Sequence, residues 1–161
     1  MNFTQIKLQK ILNECDKHFL RLNSAYKKMS QFIPLDEKKY LNLSDDEIEH
    51  IDQYLFRFSK VQDTMGEKLF KVSLEALDEN IENKPFIDIL NRLEKLEILD
   101  VEVWRRLRDI RNEISHNYDE DAEVMSIAIN SIYNEKNNLE NIYNQFCDYI
   151  NKFNIVIRKA K

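Results

Sequence analysis

The chain has 161 residues, 33% of them charged, with one Gly, two Pro and a formal charge of −5. That length buries a core without disulfide or metal staples, and so few turn residues leave room only for a few long elements. The acidic balance argues against a globally basic surface for DNA, and a single Gly excludes a Gly-rich phosphate cradle. The expected fold class is all-α, an antiparallel four- to five-helix bundle forming a single domain over residues 1–161.

In chain order, Ile6, Leu8, Ile11, Leu12, Cys15, Phe19, Leu22, Tyr26 and Met29 recur at three and four, which predicts one helix from about Phe3 to Phe32. Pro34 closes it, and a connection to Leu43 follows. His18 in this helix has no second His or carboxylate pair at ligand spacing and reads as a surface or boundary residue. Ser44 and Glu47 form a capping box, with Asp45 and Asp46 suiting the positive end of the helix dipole. Ile48, Ile51, Leu55, Phe58, Met65, Leu69, Val72 and Ala76 then make a heptad-like seam. Gln62 lies on that seam and reads as a register-setting polar residue. Gly66 within it costs about 1 kcal/mol relative to Ala, and close approach of another helix or a mild kink would explain it.

Asn80 to Lys84 reads as a loop, and Pro85 fits the first turn of a helix through Phe86, Ile89, Leu90, Leu93 and Leu96. Asp100 caps the next helix, whose apolar face is Val103, Trp104, Leu107, Ile110 and Ile114. Asp119-Glu120-Asp121 starts a last helix with its seam running from Met125 through Ile132, Leu139 and Phe146 to Val156. Seams this long can also bury a partner, which makes a dimer a hypothesis rather than a deduction from the residues.

The chemistry-bearing stretch is Arg111-Asn112-Glu113-Ile114-Ser115-His116-Asn117-Tyr118. Asn112 and His116 are four apart and share a helix face, whereas Arg111 and His116 are five apart and diverge by about 140°. Histidine can take the proton of a ribose 2′-OH near neutral pH, and arginine carries a fixed fork of donors for phosphate oxygens. Arg105, Arg106 and Arg108 add a local positive patch with an RNA-binding role. The plainer reading has Arg111 paired with Glu113 or Asp109, His116 capping a helix C-terminus and Tyr118 packing.

Arg111-Asn112-xxx-His116-x-Tyr118 near a helix end in a small all-α bundle resembles the motif of the HEPN superfamily, particularly the HepT-like toxins. The preceding helix, with Asp52, Arg57-Phe58-Ser59-Lys60 and Gln62-Asp63, resembles the helix that packs beside that motif. The resemblance implies a metal-independent endoribonuclease, the toxin of a toxin–antitoxin pair. Arg111, Asn112 and His116 would be its catalytic residues, RNA its substrate and a nucleotidyltransferase antitoxin its partner. It also implies a homodimer, and adenylylation of Tyr118 as regulation. The alternative is a non-catalytic helical partner of a nucleotidyltransferase, and a helical oligomerisation module is a third reading.

No cofactor is expected, and His18, His50 and His116 have no metal-site spacing. Cys15 and Cys147 read as reduced thiols on apolar faces. Polar residues interrupt every hydrophobic stretch well short of a membrane span, and no leader opens the chain, so a cytoplasmic location is expected.

Overall fold

Capping residues set the starts of the long helices in a computed structural model that describes residues 2–116 and 121–153. Asn2 opens α1, Phe3–Met29, through a reciprocal capping box with Gln5. Asp36 opens α2, Glu37–Leu41, by accepting the Lys39 N–H at 2.7 Å. This short helix lies within the connection read between Pro34 and Leu43, where the side-chain cap is enough to close one turn. Ser44 and Glu47 cap α3, Asp45–Thr64, as the capping-box spacing predicts. Each box satisfies donors that a first turn leaves unpaired.

A turn of π-helix, Met65–Leu69, joins α3 to α4, Phe70–Ala76. Gly66 sits in that turn, and a Cβ built there would lie 3.1 Å from Trp104 Cζ2. The glycine is therefore explained by the close approach of α6. The remaining helices are α5, Phe86–Lys95; α6, Val101–His116; α7, Ala122–Asn134; and α8, Lys136–Lys152. Pro85 is the N-cap of α5, one position before the predicted first turn. Asp100 caps α6 by accepting from the N–H groups of Glu102 and Val103 at 3.0 and 3.3 Å. Asp121 caps α7, while Asp119 and Glu120 lie outside the described residues.

The last helix is not continuous, which corrects the single seam expected from Met125 to Val156. It breaks at Glu135. There the Glu135 carboxylate accepts from Arg106 Nη2 at 3.1 Å and Asn138 Nδ2 at 2.7 Å. Lys136 turns inward, donating to Asn23 Oδ1 at 2.7 Å, with its ammonium 4.5 Å from the Tyr26 ring centroid. These ties to α6 and α1 favour a bend that the apolar period does not record.

Side-chain pairs give the directions. Glu14 meets Thr64 and His18 meets Arg57, so α1 runs antiparallel to α3. Tyr143 meets Leu12 and Asn23 meets Glu140, so α8 is antiparallel to α1. Asp63 meets Arg111 and Gly66 meets Trp104, so α6 is antiparallel to α3. The fold is an all-α bundle, and no strand occurs among the described residues.

The core gathers where α4, α6 and α8 cross. Phe70 packs edge-on to Trp104 at 4.7 Å and stacks on Phe146 at 4.9 Å between centroids. Burial of each such aromatic contributes roughly 1.5–3 kcal/mol. Tyr54 is fully buried and donates its hydroxyl to the Ile132 carbonyl at 2.7 Å. Burial pushes the Tyr54 phenol well above its ordinary pKa, and burial followed by Tyr26 takes Tyr133 up to about 12. Among the described residues the predicted seams are buried within the chain itself, except at their ends, where Ile6, Ile48, Phe86 and Phe153 are exposed; Val156 lies outside the described residues. Burial inside one chain accounts for most of these seams. Among the described residues, no helix is long and apolar enough to cross a membrane.

Candidate nucleic-acid interface

Helix α6 divides its residues cleanly between faces. Val101, Trp104, Leu107 and Ile114 are buried, while Arg105, Arg106, Asn112 and His116 are exposed. Arg108 and Arg111 lie between these faces, where α6 meets α3. Arg111, with a side chain 20% exposed, places Nη1 2.5 Å from Asp63 Oδ1 and Nη2 3.1 Å from Asp63 Oδ2. This is the bidentate fork that guanidinium and carboxylate geometries favour. Arg108 Nη1 approaches the same Asp63 Oδ1 at 3.4 Å. One carboxylate of α3 thus gathers two arginines of α6.

Arg106 points to the other side, where it donates to Glu135 at the α7–α8 break. Arg105, Asn112 and His116 recur at intervals of seven and four, so they form one outward stripe beside Arg108. The structure therefore joins Arg108 to Arg111, and Asn112 to His116 by face. It does not join Arg111 to His116, because α6 stays regular through His116 and keeps their five-residue divergence. Tyr118 lies outside the described residues, as does Asn117. The local pairing of Arg111 with Glu113 or Asp109 gives way to Asp63, 48 positions away in sequence.

A second polar cluster, on the opposite flank of α3, was not anticipated. His18 Nδ1 accepts from Arg57 Nη1 at 3.0 Å, and His18 Nε2 lies 3.8 Å from Glu14. Glu14 in turn accepts from Thr64 Oγ1 at 3.2 Å and Lys68 Nζ at 3.3 Å. The i,i+4 spacing of Glu14 and His18 was the available signal. Burial, then the Arg57 charge, holds the His18 ring below its ordinary pKa against the opposing pull of Glu14. Among the described residues no group of three His, Cys, Asp or Glu side chains is placed to hold a metal.

No protein-family model matches the chain, and no solved structure matches it. A curated relative is the large ribosomal subunit protein uL29m of Vanderwaltozyma polyspora, 32% identical over 96 residues. The match covers 59% of this chain and 27% of the relative, so the chain spans about a quarter of that protein's length where the two align.

These findings correct the resemblance to the HEPN superfamily, and with it the toxin endoribonuclease acting on an RNA substrate. The nucleotidyltransferase antitoxin falls on the same match, as does the alternative of a non-catalytic partner of such an enzyme, along with the homodimer and the adenylylation that the motif implied. The expected cytoplasmic location falls on the same match. The physical reason lies in the octapeptide itself. An arginine and a histidine at a helix end satisfy a motif by residue type, whatever their side chains face. Here Arg111 faces Asp63.

Proposed function

We propose that the protein is a non-catalytic helical component of a large ribosomal subunit, and that α6 presents its RNA-facing surface. In this reading Arg105 and Arg108 meet phosphates, while Asn112 and His116 supply hydrogen-bonding groups on the same outer stripe and Arg106 stays with Glu135 on the other side. Arg111 acts as the anchor that fixes α6 against α3. The named relative supports both the ribosomal assignment and a mitochondrial location.

The observation that carries the reading is the Asp63 clamp, which commits Arg111 to the fold and leaves Arg108 beside the exposed Arg105 on the outer side of α6. A guanidinium already bound bidentately to a carboxylate is poorly placed to stabilise a transition state, whereas arginines on the outer face of a helix suit contacts with an RNA backbone. Binding of a large-subunit ribosomal RNA fragment, followed by anisotropy across a salt series, tests this directly. Affinity should fall steeply with salt, and Arg105→Gln with Arg108→Gln should reduce the slope by about 1 for each contact removed. A slope identical in the double variant would exclude α6 as the RNA face.

A further inference from the structure

A second feature adjoins the α6 arginines and is used by nothing in the fold. Phe56 sits on the outer side of α3 with 51% of its surface exposed. The ring is nonetheless framed: Arg57 Cζ lies 5.4 Å and Lys60 Nζ 5.6 Å from its centroid. Such contacts hold an aromatic ring in place while leaving much of it open. Phe56 and Asp63 are seven residues apart, so they lie in line on α3, about 10 Å apart along its axis. At Asp63 the line meets Arg108 and Arg111 of α6.

We propose that this strip, Phe56–Lys60–Arg108, binds a single-stranded segment of RNA, with an unpaired base stacked on Phe56 and its flanking phosphates against Lys60 and Arg108. The proposal rests on the RNA-associated reading above and assigns it a strand type, a stacking platform and a direction. Charge selects the occupant. Arg57 and Lys60 flank the ring, Arg108 and Arg111 meet the Asp63 carboxylate further along the same line, and the ring stands among polar neighbours rather than in an apolar patch. Asp52 and Glu49 lie one and two turns towards the α3 N-terminus, where they repel a phosphate chain. The strand therefore leaves Phe56 towards α6. Base–aromatic stacking tolerates any base, so recognition here is of single-strandedness rather than of sequence.

The test is binding of a short oligoadenylate RNA to the full chain, with wild type, Phe56→Ala and Phe56→Trp compared. Phe56→Ala should weaken binding by about 10-fold or more, with an unchanged thermal melt because the ring is exposed. Phe56→Trp should bind, and its exposed indole emission should be quenched over the constant background of Trp104, which is 1% exposed. Equal binding by Phe56→Ala, or an unquenched indole, would overturn this strip while leaving the α6 arginines as the RNA face. A wild-type protein that binds neither oligoadenylate nor ribosomal RNA would overturn both. Poly-glutamate bound as tightly as the oligonucleotide, and with the same dependence on Phe56, would assign the strip to an acidic protein and overturn the RNA proposal.

Discussion

Asp63→Asn should move stability and RNA affinity in opposite directions. The carboxylate accepts a bidentate pair from Arg111 and a longer contact from Arg108, with exposures of 32%, 20% and 40% for the three side chains. Hydrogen bonds to charged groups contribute roughly 1.5–3 kcal/mol when shielded, and this partial exposure discounts the cluster to about 1–2 kcal/mol. For a chain of this size that lowers the melting temperature by about 2–8 °C. The same change removes a negative charge from beside the strip. A carboxylate about 7 Å from a phosphate costs roughly 0.6 kcal/mol in a water-like dielectric, so the oligonucleotide should bind about 2- to 3-fold tighter at low salt. Differential scanning calorimetry and anisotropy on the same preparation read both effects. Weaker RNA binding with a normal melt would refute the reasoning, because it would make Asp63 part of the binding surface rather than a counter-charge to it.

Gly66→Ala should destabilise the fold by about 0–2 kcal/mol, since overpacking against the buried Trp104 ring outweighs the gain of about 1 kcal/mol in helix propensity; a urea midpoint higher than wild type would contradict this. Tyr54→Phe removes the buried donor to the Ile132 carbonyl and should cost about 1–3 kcal/mol in chemical unfolding, with little change in m-value. The depressed pKa of His18 means that its neutral ring belongs to the folded state, facing Arg57, Lys60 and Glu14. Its contribution is therefore full above the ordinary value near 6.5 and is lost as pH falls through the lower folded value. Unfolding free energies measured through that range should decline with acid in wild type and decline less in His18→Gln.

Periodicity and caps were sufficient to read most of the helices, because Ser44, Asp100 and Asp121 act through local geometry that spacing encodes. The break at Glu135 was not legible, since it depends on Arg106 and Asn23 arriving from distant helices. Gly66 could be flagged as a close approach, but only the structure identifies Trp104 as what approaches. At the candidate site the limit was sharper. The octapeptide displayed residue types, and their chemistry depended on a carboxylate 48 positions away that spacing along α6 could not supply. Phe56 went unnoticed for the converse reason: an aromatic residue one place off the apolar stripe looks like noise until its exposure and its two cations are seen together.

The most direct measurement is sedimentation of the tagged protein through a sucrose gradient of mitochondrial lysate, wild type beside Arg105→Glu/Arg108→Glu. A ribosomal role predicts that wild type travels with the large subunit and leaves it at high salt, while the charge-reversed variant, folded by circular dichroism, remains at the top. Wild-type protein at the top of a low-salt gradient, or a variant that still travels with the subunit, would contradict the assignment of α6 as the ribosomal RNA face.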